Sequence, residues 1–452
     1  MINIDKKMLT FYKNVMALII PIALQNLINV GVTAADVIML GKVGEKVLSG
    51  ASLAGQVQFI MTLLFAGITS GANVLTAQYW GKKDTTSIEK VLGIGLLIGT
   101  VTAAIFSGLA LLIPGGLMKI YSSDPEVIVQ GVKYLQVVGI SYVFMAVTQV
   151  YLNIMRSIER VLISTGIYSI SLLINVCLNW LLIFGNLGAP KMGIRGAALA
   201  TLTARISEMV LAMLYAHFRN HVVKIRFRYI FHPDAALMKD YLTYSLPVVL
   251  NEVMWGLGSS ANTAIIGHLG SPAVAANSVA QMAKQLAQVV TLGVANATAI
   301  YLGKTIGEHK IELAKSYSKR FIWLSIGLGV LGALIILCAI PLARSGLALS
   351  SEAKNYLGFM FFVMAYFTIA QSYNGTMIIG IFRSGGDTKF GLFMDVSTMW
   401  GCSIILGALA AFAFHAPVKV VYAILMCDEL IKVPMGTLRY KQYKWLRDVT
   451  RQ

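Results

Sequence analysis

Apolar stretches long enough to cross a bilayer recur twelve times along this chain of 452 residues, and no soluble fold accommodates that pattern. The expected spans lie at 14–41, 51–79, 89–114, 128–155, 162–187, 194–217, 240–269, 275–303, 318–344, 353–382, 389–414 and 417–437. Runs such as VLGIGLLIGTVTAAIFSGLALLIP are apolar on every face, as lipid-embedded helices are, whereas a barrel would need alternating ten-residue segments. Hydrophobic residues make up 57% of the chain and charged ones only 13%, far from the usage of a soluble domain. The predicted class is an all-α polytopic membrane protein with twelve transmembrane helices.

A net charge of +17 raises nucleic-acid binding as an alternative, and the distribution of the charge decides against it. With the amino terminus placed in the cytoplasm, the termini, loops and adjoining span ends on that side hold 26 Lys and Arg and those on the other side hold 9, while Arg205 and Lys284 fall deeper within spans. This is the positive-inside pattern, and it predicts both termini in the cytoplasm of a multi-pass protein of the cell inner (plasma) membrane. Attraction to anionic lipid is a secondary effect of the same residues. Neither stacking aromatics nor a soluble basic domain accompanies the charge, so no nucleic-acid partner is expected. The first span is too long for a signal-peptide core, and MINIDKK offers no cleavage site. Cys177, Cys338, Cys402 and Cys427 lie in predicted spans without CxxC spacing, which predicts buried packing rather than a disulfide or zinc site.

The chain repeats itself. PIALQNLINVGVTAADVIMLGKVG from Pro21 aligns without a gap on PVVLNEVMWGLGSSANTAIIGHLG from Pro247, an offset of 226. The same offset carries Gly67 onto Gly293 and Gly81 onto Gly307, and one residue's slip carries Pro114 onto Pro341 and Arg156-Ser157 onto Arg383-Ser384. The chain therefore reads as two six-helix lobes, 1–225 and 226–452, joined by the basic loop HFRNHVVKIRFRYIFHPDAALMKD at 217–240. Six is even, so the lobes are parallel copies related by a pseudo-two-fold axis along the membrane normal, with a cavity expected at midplane. No repeated filter-like sequence speaks for a channel.

Where the copies differ is informative. Asp36 maps onto Asn262, and Asn26 maps onto Glu252, so each lobe carries one acid at a non-equivalent position. An ionisable group at membrane depth costs at least ~2.5 kcal/mol, which makes function the default reading; the bland alternative for Asp36 is a helix-end residue at the interface. Glu252 follows Pro247 by five residues, where a loosened helix frees carbonyls; a structural carboxylate between helices is its alternative. Arg205 with Glu208 and Glu429 with Lys432 read as neutralised i,i+3 pairs. Asp395 has no evident partner and is a weaker proton-site candidate. Asn175 and Asn179, four residues apart, share one helix face; amide oxygens beside a carboxylate suit Na+, and equally suit hydrogen bonding between helices.

These residues together resemble the multidrug and toxic compound extrusion (MATE) family, twelve-helix cation-coupled exporters. The carriers are the Pro21-to-Asp36 spacing followed by VIMLG, NVCLNWLLIFG at 175–185, GIRGAALAT at 193–201 and RSGGDT at 383–388. The resemblance implies that Asp36 is the exchangeable cation site of the amino-terminal lobe, with Asn175, Asn179 and Thr201 facing it, and that the coupling ion is H+ or Na+. It implies amphipathic organic cations as cargo, export by alternating access, and a monomer. The sodium-coupled branch carries a glutamate in helix 7 and an aspartate in helix 10; here the first position is Trp255, with Glu252 one turn earlier, and helix 10 offers Gln371, Ser372, Tyr373 and Asn374. Glu252 then stands in for the missing site or meets the cargo. Trp255, Met254, Gln371, Tyr373, Asn374 and Met377 are the expected lining, through cation–π contacts and pliable thioethers.

Other motifs lead nowhere. GLGVLG at 327–332 sits within an apolar span and reads as close helix packing, like Gly93, Gly95 and Gly99. His217 and His221 have metal spacing but lie in a basic loop without a nearby glutamate. RSGGDT lacks the GK[ST] of a phosphate loop, and no hydrolase or nucleotide-binding motif occurs, so neither an enzyme nor a cofactor beyond the coupling ion is expected. The rival readings are a flippase or exporter of a lipid-linked or other endogenous metabolite on the same fold and, further off, an ion channel.

Overall fold

The computed structural model describes residues 2–341, 343 and 350–451, with side chains from residue 9 onward. The helices are α1 (Ile2–Gly41), α2 (Glu45–Gly81), α3 (Thr85–Leu112), a short α4 (Pro114–Tyr121), α5 (Pro125–Ser157), α6 (Val161–Phe184), α7 (Ile194–Phe218), a short α8 (Phe227–Phe231), α9 (Ala235–Gly267), α10 (Ser271–Gly307), α11 (Ile311–Cys338), α12 (Ser351–Phe382), α13 (Thr388–Ala413), α14 (Val418–Leu425) and α15 (Asp428–Lys441). Setting α4 and α8 aside and counting α14 with α15 as one broken crossing leaves twelve membrane helices among the described residues. Ten are plainly apolar enough among the described residues. The other two are α9, diluted by Asn251, Glu252, Ser259, Ser260 and Asn262, and the last crossing, interrupted at Met426 and Cys427. The expected end of the ninth span, at 344, lies outside the described residues.

The helices start where the chain supplies caps. Asp84 accepts the amide of Ser87 at 3.0 Å, and Asp124 accepts that of Glu126 at 2.9 Å ahead of Pro125 in the first turn of α5. In the connecting loop, Asp234 accepts the amides of Ala236 and Leu237 and the ammonium of Lys90 at 3.0 Å. The Lys90 hydrogen bond, with those amides, holds its carboxyl below the usual range. A depressed folded-state pKa contributes stability above the ordinary carboxyl pKa, and that contribution disappears as pH falls through the folded value. Asp234→Ala is expected to lower the melting temperature by the equivalent of about 1 kcal/mol at pH 7, with the gap to wild type closing in acid.

By contacts, the chain forms two compact units, Leu24–Ser245 and Met1–Ala23 with Leu246–Gln452. Both changeovers fall beside the repeat's paired prolines, Pro21 in α1 and Pro247 in α9. The first unit is centred on buried Phe65, Tyr142, Met145 and Tyr151, and the second on Phe361, Met364, Phe367 and Tyr422, with Phe11 stacked on Tyr317 at 4.7 Å. Large apolar residues such as Leu112, Leu162, Trp323 and Phe362 point outward, as a lipid-facing surface requires.

The repeat extends to the backbone. Left-handed residues recur at the repeat's own offsets: Lys83 (φ 60) with His309 (φ 57), and Glu159 (φ 65) with Gly386 (φ 75). Small residues allow close helix contact at Gly93, where an added Cβ would come within 2.7 Å of the Tyr229 backbone, and at Gly329 and Gly332 against α12, while Gly327 faces open space. The cysteines correct the expectation of burial: Cys177 and Cys338 are exposed on the helix surface and Cys402 and Cys427 half-buried, all four as free thiols, because an apolar thiol is as well placed against lipid as in the core.

Candidate functional site

Along α6 a polar stripe, Ser164, Tyr168, Ser171, Asn175 and Asn179, recurs at helical spacing on the buried face. Its far end meets Asp36 of α1. The Asn179 Nδ2 donates to Asp36 Oδ1 at 2.5 Å and to Asn175 Oδ1 at 3.2 Å, and the Asn175 Nδ2 reaches Thr201 Oγ1 of α7 at 3.5 Å. Asp36, Asn175, Asn179 and Thr201 thus form one chain of contacts. Thr201 also bonds the hydroxyl of Tyr134 from α5. The Oδ1 of Asn179 is buried without a hydrogen-bond partner.

Asp36, Thr201 and Tyr134 open onto a cavity of about 570 Å³, lined further by Asn29, Thr33, Gln56, Gln58, Gln149, Met145 and Arg205. Arg205 does not neutralise Asp36 by a direct bond. Its guanidinium is bound to both carboxylate oxygens of Glu208, at 2.7 and 2.9 Å, and Ser171 donates to Glu208 at 2.6 Å. The i,i+3 pairing of Arg205 and Glu208 is as the spacing predicts. The result is a carboxylate held by a neutral amide beside a polar cavity, an arrangement able to take a proton or a small cation.

In the second unit, Glu252 does not stand alone: Arg383, the first residue of RSGGDT, donates to its Oε1 at 3.0 Å. In the first unit Arg156, the repeat counterpart of Arg383, reaches Gln25 Oε1 at 3.5 Å, one residue before the position that maps onto Glu252. Asp395, expected to lack a partner, accepts from Lys432 at 3.0 Å and from Asn251 at 2.8 Å; α15 is far in sequence from α13, so spacing could not show it. The Glu429–Lys432 pair is present at 2.9 Å. A cavity of about 290 Å³ is lined by Glu252, Trp255, Gln371, Asn374, Asp395 and Arg383 among others.

Three expected lining residues lie elsewhere. Met377 is 0% exposed in the core, Tyr373 bonds Thr437 at 2.6 Å, and Met254 gives its carbonyl to Trp400 while its side chain does not line the cavity. From α12 the cavity is lined by Gln371, Asn374 and Gly375 at helical spacing and by Ile378, Ile379 and Arg383, which lie within or just beyond a π-helical turn over Thr376–Phe382. Sequence reasoning does not reach Tyr134, Gln58 and Gln149, since none of them falls in a spaced pair or family motif of the kind that marks Asn175 and Asn179. The Gly-rich turn is structural: Gly386 takes the left-handed conformation, and Asp387 receives Arg439 through two bonds of 2.7 and 2.9 Å.

Duplicated six-helix bundles, each enclosing a polar cavity with an acid in it, define a membrane transporter rather than an enzyme. The MatE family model matches the chain twice, over residues 21–181 and 247–409, starts that stand 226 apart. The chain belongs to this family, the MATE transporters. The "Uncharacterized transporter YisQ" of Bacillus subtilis is 22% identical over 91% of this chain and 89% of its own. The "Probable multidrug resistance protein NorM" of Brucella suis is 25% identical over 87% and 85%. Among solved structures, a MOP superfamily transporter from Pyrococcus furiosus superposes with a TM-score of 0.87 at 18% identity, covering 96% of this chain and 97% of its own. A multidrug resistance MATE transporter in an outward-facing conformation gives 0.85, with 95% of each chain covered.

Proposed function

We propose that this protein is a cation-coupled antiporter that exports amphipathic, often cationic, organic compounds by alternating access, working as a monomer in the plasma membrane with both termini cytoplasmic. The observation that carries the reading is Asp36, bonded to the amide of Asn179 and open to a polar cavity, with the neighbouring arginine already committed to Glu208. Uptake of H+ or Na+ at Asp36 favours the rearrangement that releases cargo outside, and loss of the ion permits the return. Relatives named as multidrug resistance proteins support the cargo class.

Ethidium efflux from proteoliposomes, under an imposed Na+ gradient and separately under an imposed pH gradient, tests this. One of the two gradients is expected to accelerate efflux and so identify the ion. If neither changes the rate, drug antiport is wrong and lipids and endogenous metabolites become the cargo to try.

A further inference from the structure

The two units treat a buried basic residue in opposite ways. The one-residue slip that carries Arg156 onto Arg383 also carries Arg205 onto Lys432. Arg205 turns to Glu208 on its own helix and leaves Asp36 to an amide. Lys432, with its side chain 4% exposed, points its ammonium between three carboxylates: Asp395 at 3.0 Å, Asp428 at 3.1 Å and Glu429 at 2.9 Å. The break at Met426 and Cys427 makes this possible, because it starts α15 at Asp428 and puts both acids in a first turn that favours negative charge.

An ammonium has three donors, and here each has its own carboxylate. The outer oxygens are used as well: Asn251 donates to the second oxygen of Asp395 at 2.8 Å, and Asn374 to that of Glu429 at 2.8 Å. Five of the six carboxylate oxygens therefore already accept a hydrogen bond. Three converging carboxylates, with the partnerless amide oxygens of Asn251 and Asn374 beside them, are the oxygen-rich surroundings a hard metal cation seeks. The centre of that shell is filled from within. A second ammonium, Lys284, lines the small neighbouring cavity with Asp428 and Glu429 and adds to the internal compensation.

From this geometry we infer that Lys432 is a tethered cation occupying the place a sodium ion would take in the second unit, so that this unit binds no Na+ and Lys432 is the residue that sets this. The inference concerns a site separate from Asp36 and goes beyond the proposed antiport. Replacing the ammonium by an uncharged side chain of similar length should convert the cluster into a sodium site.

The test is equilibrium binding of radioactive sodium to purified full-length protein, carried out in an Asp36→Asn background so that the first unit contributes nothing. D36N alone is expected to bind none, D36N with Lys432→Met about one Na+ per chain, and D36N with Lys432→Arg none. Should K432M fold only weakly, adding Asp428→Asn reduces the charge left behind, and this variant too should take up Na+ and melt at a higher temperature in sodium than in choline medium. Stoichiometric Na+ binding by D36N alone overturns the inference, as do folded K432M and D428N/K432M chains that bind none. The readout is independent of efflux: if D36N leaves drug transport untouched, the antiport reading fails while the sodium result still decides the role of Lys432.

Discussion

Asp36→Asn is expected to leave a folded protein in which an ion gradient no longer changes the rate of drug efflux. The substitution keeps the shape of the side chain, and its amide oxygen can still accept from Asn179, so the contact to α6 at 2.5 Å has a replacement. A neutral side chain at this depth also relieves an insertion cost of at least ~2.5 kcal/mol, which offsets a hydrogen bond worth about 1 kcal/mol. Stability should therefore change little, and cargo leak down its own gradient should persist. What disappears is the one carboxylate among the described residues that line the 570 Å³ cavity, and with it the place where a cation could be exchanged. Gradient-driven and gradient-free efflux rates measured on the same vesicles should become equal in D36N. A variant that still responds to the gradient would move the coupling site away from Asp36.

Gly385→Ala should be the most damaging single methyl in the chain's Gly-rich turn. A Cβ at this position would land on the carbonyl oxygen of Trp445, a backbone atom that cannot rotate away. Trp445 is itself fully buried and stacked on Tyr440 with ring centroids 6.0 Å apart, so the segment has nowhere to retreat. Forcing the contact apart would disturb the Asp387–Arg439 bonds two residues on. A loss of about 3 kcal/mol is expected, seen as a lower melting temperature and reduced membrane yield. Gly327→Ala is the control: it faces open space within α11, and helix propensity alone predicts a gain of up to about 1 kcal/mol. Equal effects at both glycines would mean that the turn yields more easily than its packing indicates.

Much of this was legible in the sequence because the bilayer simplifies the code. Long apolar runs admit helices and little else, and a constant 226-residue offset exposes the duplication without any side-chain detail. The cluster of Asp36 with Asn175, Asn179 and Thr201 was reachable through spacing and family resemblance. The second unit was harder for definite reasons. Asp395 finds Lys432 and Glu252 finds Arg383 across more than a hundred intervening residues in the latter case and between separate helices in both, and no local spacing reports such partners. Tyr373 and Met377 fall off the cavity face because Gln371, Asn374, Gly375 and Ile378 take it at ordinary helical spacing, and residue type alone did not show which face of the helix turns inward.

The paired left-handed residues say something about the duplication. Lys83 and His309 occupy the same corner of their respective copies with different side chains, as do Glu159 and Gly386. A non-glycine residue in that conformation carries a penalty of roughly 1–2 kcal/mol, so the corner is imposed by the helices on either side rather than chosen by the residue within it. The two copies thus follow one backbone path at these corners and differ in the chemistry they carry along it. One copy keeps an acid bare, while the other draws a lysine in among its acids; the same mould serves two trades.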